Sequence, residues 1–225
     1  MLLGLKNAQA LVGLITIFLS YLITIALAGY FRAWVAKKMG DETAEDLGFL
    51  TLNPLVHIDL FGVLVLLLFS NPRYFYGFGW GKHIPINPAH INGPRRWLKL
   101  SCAFFSDSFA HFIIATVALT SMSIIFGKQA VAMASVHQVS SFNLVIFQLL
   151  FAFIGLNIAL VLVQAVINGV LLVALYMTEN GQVSQHLYYF VLLAPIIILL
   201  LFGSELQLML YYGISAIESA VAGIL

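Results

Sequence analysis

Between Ser141 and Met177 the chain carries no Asp, Glu, Lys or Arg, and this uncharged run limits the fold more than any other feature. A hydrocarbon layer of about 30 Å is crossed by about 20 mostly apolar helical residues. The rest of the chain follows suit: 62% of residues are hydrophobic and 8% charged, where an ordinary soluble domain has about 25% charged. Beyond Lys128 there is no further Lys or Arg, and Glu179, Glu205 and Glu218 are the remaining formal charges. The chain reads as a multi-pass integral membrane protein.

Apolar runs at 8–31, 56–70, 97–126, 141–177, 185–202 and 206–222 predict five to six crossings in a single membrane domain over 1–225. The count depends on whether 141–177 is one tilted helix or a pair broken at Asn157, Gln164 or Asn168-Gly169. Backbone in lipid must satisfy its own hydrogen bonds, which leaves helices or a closed barrel. Runs this long and unalternating exclude the barrel, so the expected fold is all-α and polytopic. Lys6, the first apolar run and Ala26-Leu27-Ala28 mimic a signal peptide, but the run outlasts an ordinary h-region and more spans follow. Lys and Arg flank several spans, and the positive-inside count leans only slightly toward a cytoplasmic 73–99 loop. Cys102 stands alone and reads as a small packed hydrophobe. The net charge of +1 and the lack of a basic stripe give no basis for nucleic-acid binding.

Two polar islands interrupt the apolar pattern. In "LGFLTLNPLVHIDLFG" (47–62), Asn53-Pro54 is a turn signal ahead of the second span. In "SNPRYFYGFGWGKHIPINPAHINGPRRW" (70–97), the alternation of "WGKHIPINP" predicts a small hairpin or extended element between the second and third spans.

These stretches, with "RAWVAKKMGDETAED" before them, resemble the site-2 protease family of intramembrane zinc metalloproteases. Members read approximately H-E-x-x-H-A-x-x-A-x-x-x-G-D-x-T-A, then G-R-L-T-L-N-P-L-x-H-I-D-P-x-G. "GWGKHIPINP" is similar to the family's G-W-A-K-P-V-P-V-N-P, and "GPRRWLKL" to its N-P-R-R segment. The resemblance implies a site-2-protease-like helical fold, a zinc cofactor and peptide-bond hydrolysis inside the membrane. It also implies that Asn53, Pro54, His57, Asp59, Pro85, Asn87 and Pro88 belong to loops that help hold a substrate strand by β-type addition.

The chain departs from the family at the chemistry. In H-E-x-x-H the two His hold zinc from one helical face and the Glu is general base for the metal-bound water. Aligned through Ala33, Ala36, Gly40 and Asp41, those positions hold Ala28, Gly29 and Arg32. The family's third ligand, an Asp in a later span, corresponds to Leu172 or, reading Asn168-Gly169 as a relic of Asp-Gly, to Asn168. The family's A-G-P is replaced by Phe104-Phe105-Ser106. Ala28, Gly29 and Arg32 cannot do the motif's work, since Ala and Gly have no donor atom and a guanidinium has no lone pair to give, and at the third position the carboxylate is gone.

The expectation is therefore a catalytically inactive homologue with no metal, in the bacterial cytoplasmic membrane, whose partners are lipid and a transmembrane protein or substrate helix. A cation at membrane depth needs a partner. Asp107, on the next span and four residues before His111, is expected to pair with Arg32. Two other readings stay open: a zinc protease using His57, Asp59 or His111 as divergent ligands, and ion or proton transport through Arg32, Asp107, Glu205 and Glu218. His83, His90, His137 and His186 are expected in solvated loop or interface positions.

Overall fold

The computed structural model describes residues 2–70, 77–126 and 142–179. Helix α1 covers Leu2–Met39, α2 Thr43–Asp46, α3 Pro54–His57 and α4 Leu60–Phe69. Helices α5 (Arg96–Phe104) and α6 (Ser106–Phe126) follow the extended segment, and α7 spans Phe142–Glu179. The described residues are all-helical apart from loops. Three helical stretches are long and apolar enough to cross a membrane: Ala10–Met39, Ser106–Phe126 and Val145–Glu179. The two spans expected at 185–202 and 206–222 lie outside the described residues.

Two expected boundaries shift. The second span, read as 56–70, is two short helices, because Asp59 has extended backbone and its carboxylate accepts the Gly62 amide as the N-cap of α4. The remaining ten residues are about 15 Å long at the usual helical rise, half a hydrocarbon layer. The third span, read as 97–126, divides at Phe105 into α5 and α6. The run from 141 to 177, in contrast, is one unbroken helix from Phe142 onward. Asn157 and Asn168 do not break it because their amides turn inward and find partners on other helices.

The segment after Gly77 is extended, but no hairpin forms among the described residues. Its register is fixed by an antiparallel bridge between Gly81 and Ile58 and by the Lys82 amide donating to the His57 carbonyl at 2.7 Å. Gly62 makes this approach possible: a Cβ there would overlap the Trp80 carbonyl. Tyr21 from α1 donates its hydroxyl to that same carbonyl at 2.9 Å.

Helices α1, α6 and α7 form the bundle, with α6 and α7 in the longest contact. One apolar cluster joins Ile17, Tyr21 and Ile25 of α1 to Leu66, Phe78, Leu156 and Leu160. Another, toward the far end of α7, gathers Ile91, Leu100, Ala103, Phe104 and Leu171. Between them α1 presents one face at four-residue spacing, Thr16, Ser20, Thr24, Ala28 and Arg32, all buried. This stripe sets the level of the candidate site.

Candidate functional site

Arg32 projects from α1 into the bundle and is 1% exposed. Its Nε donates to the Ile84 carbonyl at 3.2 Å, and Nη1 reaches the Phe104 carbonyl and Asn168 Oδ1, each at 3.1 Å. Nη1 also meets Asp107 Oδ2 directly. Asp107 Oδ1 in turn accepts from Asn168 Nδ2 at 2.8 Å and from the Ser108 amide at 2.7 Å.

The break between α5 and α6 makes this arrangement possible. In a continuous helix the Ser108 amide would bond the Phe104 carbonyl four residues back. Here it turns to Asp107 instead, and the freed carbonyl takes Arg32. Phe104-Phe105-Ser106 therefore has a local role: the break converts a helical acceptor into a guanidinium ligand. An isolated buried charge would be prohibitively costly, and a buried pair is tolerable only when its remaining donors and acceptors are satisfied. The cluster meets that condition except at Arg32 Nη2, which has no partner among the described residues.

The positions where the resemblance places metal ligands thus meet in space, with different chemistry. Arg32 and Asn168 touch, whereas Leu172 packs with the apolar cluster around Leu171 and Leu100. Ala28 and Gly29 line the cavity of about 30 Å³ beside them, together with Asp107, His111 and the extended residues 81–84. A zinc ion does not fit this donor set. The guanidinium already supplies a fixed positive charge, Asp107 is spent neutralising it, and the amide of Asn168 bridges the two. Nor does Gly29 leave room for a base. A Cβ there would stand 2.7 Å from His57 Cε1 and closer still to Nδ1.

The divergent-ligand candidates are engaged separately. His57 Nε2 lies 2.8 Å from the Thr51 carbonyl, Asp59 caps α4, and His111 Nδ1 lies 2.8 Å from Asn157 Oδ1. Among the described residues no three His, Cys, Asp or Glu side chains converge as a metal site. Glu205 and Glu218, invoked for transport, lie outside the described residues, as do His137 and His186.

Below Arg32, α1 ends in a Schellman motif, with the Gly40 amide on the Lys37 carbonyl (3.1 Å) and the Asp41 amide on that of Ala36 (3.0 Å). Gly40 takes φ +105°, which favours glycine. Asp41, fully buried, then ties the helix end to the extended segment. Its carboxylate accepts from the Thr43 amide at 3.1 Å and hydroxyl at 2.5 Å, and from the Asn87 amide at 2.6 Å. His90 Nδ1 is 3.1 Å from it. Burial pushes the Asp41 carboxyl up, but the hydrogen bonds from Thr43, Asn87 and His90 together outweigh it and hold the group below its ordinary range.

The remaining loop residues are committed to the fold in a similar way. Asn53 caps α3 through the Leu55 amide, Pro54 is the first residue of that helix, and the Pro88 carbonyl accepts from Arg96 Nη2. Pro85 sits half-buried in the extended segment. His83, expected in a solvated loop, is exposed in the extended segment and also borders the Arg32 cavity. Enclosure by the surrounding protein, and then the Arg32 charge, push its imidazole down, with Asp107 opposing. Sequence reasoning passed over Thr24, whose hydroxyl accepts from Asn157 Nδ2 at 2.9 Å. The available signal was its four-residue spacing to Ala28 and Arg32.

No family model and no solved structure matches the chain. A curated protein of Bacillus subtilis (strain 168), "Putative zinc metalloprotease YwhC", is 36% identical over 77 residues, which is 34% of this chain. The match spans about a third of that protein, 32% of its length, and over that stretch this chain is similar to it.

Proposed function

We propose that this chain is a catalytically inactive member of the site-2 protease family that binds membrane proteins without cutting them, in a bacterial cytoplasmic membrane. One observation carries the reading. Where the resemblance calls for a zinc ion, two His and an Asp, the chain has Arg32 with Asp107 and Asn168 bonded around it. A fixed cation takes the place of a metal cation, so the interior keeps its charge balance while losing both the Lewis acid and the water it would activate. The similarity to a protein named as a zinc metalloprotease supports the family. The loops around Asn53-Pro54 and over 85–88 would then hold a membrane segment beside a centre that cannot hydrolyse it.

Metal analysis of the purified protein, alongside cleavage of a reporter membrane substrate, tests this reading. The expected result is zinc well below one per chain and no chelator-sensitive cleavage. Stoichiometric zinc with chelator-blocked cleavage would establish the alternative, an active protease with divergent ligands.

A further inference from the structure

The exposed side chains mark where the bundle leaves the hydrocarbon. Every exposed residue of α1 from Leu11 to Leu27 is Leu, Ile or Phe, and the next exposed ones are Trp34, Lys37 and Lys38. On α7 the exposed face reads Leu162, Val166, Val170 and Val173, then Tyr176 and Glu179. The two helices end side by side. Met39 packs in one apolar cluster with Leu100 of α5 and Leu171 of α7, and Arg96 forks onto Glu179 with both bonds at 2.8 Å. Trp97, also exposed, meets the Tyr176 ring edge-on at 5.3 Å. Trp and Tyr favour the boundary between hydrocarbon and headgroups, so this end of the bundle lies at headgroup level.

Positive charge gathers there. Lys37, Lys38, Arg95, Arg96 and Lys99 are half of the chain's ten Lys and Arg, and packing brings together what the sequence divides between two segments. Acids take two of them: Glu45 holds Lys37 at 2.7 Å, with Glu42 also acting on it, and Glu179 holds Arg96. Asp41 is spent in its own buried cluster. Among the described residues no Asp or Glu forms an ion pair with Lys38, Arg95 or Lys99. Lys38 Nζ stands over the Trp34 ring, 5.9 Å from its centre, and Lys99 Nζ donates to the Asn92 carbonyl at 3.0 Å. Arg95 is exposed. Three cations are thus left without a counter-charge, against one exposed acid left over at this end, Asp46.

A ligand for such a surface is an anion held in the plane of the membrane. All phospholipids carry a phosphate, but a zwitterionic headgroup brings its own ammonium, which competes with the Lys and Arg side chains. An anionic headgroup has no such competitor, and cations at the membrane surface are attracted to it.

We propose that the end of the bundle formed by α1, α5 and α7 binds anionic phospholipid headgroups, with their phosphates on Lys38, Arg95 and Lys99.

Native mass spectrometry of the full chain, released from micelles holding equal amounts of phosphatidylglycerol and phosphatidylcholine, tests this. Phosphatidylglycerol should be retained in preference. The preference should fall by up to about fivefold for each cation removed in Lys38→Gln, Arg95→Gln and Lys99→Gln, and fade as salt is raised. Lys37→Gln, whose charge is already matched by Glu45, should leave it unchanged. These side chains are exposed or half-buried, and an unaltered melting temperature in phosphatidylcholine nanodiscs checks that each variant is folded. Equal retention of the two lipids by the unaltered chain overturns the proposal, as does a preference that survives the triple substitution. A loss in Lys37→Gln as large as in the other three would show charge without a site. Displacement of phosphatidylglycerol by inorganic phosphate would make this a site for soluble anions, and the headgroup assignment falls.

Discussion

The two polar centres along α1 lie close in sequence and answer to different rules. At the helix end, Asp41, Thr43 and Asn87 match the resembled motifs and, together with His90, spend their hydrogen bonds on one another. In the interior, Arg32, Asp107 and Asn168 depart from the motifs and also satisfy one another. A motif that closes on itself can persist for the fold alone, so the helix-end residues say little about catalysis. The interior says more. Its groups compensate one another, a buried cation with a carboxylate and an amide bonded around it.

The contrast is broken most directly at Asp107. Asp107→Leu leaves a buried guanidinium without its counter-charge and should cost about 3–5 kcal/mol, read by thermal or denaturant unfolding in detergent. Adding Arg32→Met to the same chain should recover much of that loss, because an apolar pair of similar volume avoids the desolvation penalty. If Asp107→Leu unfolds like the unaltered chain, the pair is not a structural centre.

At the helix end, Asp41→Ala strands several donors at once. A loss of about 2–3 kcal/mol follows from leaving buried groups unsatisfied, with faster proteolysis of the 85–90 segment as an independent readout. An unchanged cleavage rate would show that the segment is held by other contacts. Smaller still is Gly29→Ala, where the added methyl must displace the His57 ring; about 1–3 kcal/mol is expected, and His57→Ala in the same chain should relieve it. Restoring the motif with Ala28→His, Gly29→Glu and Arg32→His should still give no stoichiometric zinc, since a side chain at position 29 meets the His57 ring and Asn168 is no carboxylate. Metal analysis of that variant decides it.

The pH dependence separates the centres more gently. The Asp41 carboxyl is lowered in the folded protein, so its contribution is fully present above the ordinary carboxylate range near 4 and is lost as pH falls through its folded value. The difference in melting temperature between the unaltered chain and Asp41→Asn should therefore shrink as pH falls below about 4. A constant gap would contradict the assigned bonds. At the small end, Lys37→Ala removes an exposed pair with Glu45 and should leave the melting temperature unchanged.

Much of this is legible in local chemistry. Long uncharged runs require membrane helices, since hydropathy and hydrogen-bond closure act within a segment. Gly40-Asp41 ends α1 because its residues carry their own terminating geometry. That Ala28, Gly29 and Arg32 stand where the resembled motif has its ligands and base is visible in the string. Local chemistry misleads where neighbours intervene. Asn157, Gln164 and Asn168-Gly169 look like helix breaks, yet α7 runs through them because the amides of Asn157 and Asn168 are satisfied by Thr24, His111, Arg32 and Asp107.

From the string of residues alone it follows that the chain lives in a membrane and that a guanidinium stands where a metal ligand is expected. What surrounds that guanidinium follows only from the packing of the helices. That packing selects Asn168 over Leu172, frees the Phe104 carbonyl by breaking a helix, and lays His57 over Gly29. The reason is physical: a buried charge selects its partners by distance and direction across helices, and two of those partners are backbone carbonyls, Ile84 and Phe104, which every residue carries and no sequence pattern marks.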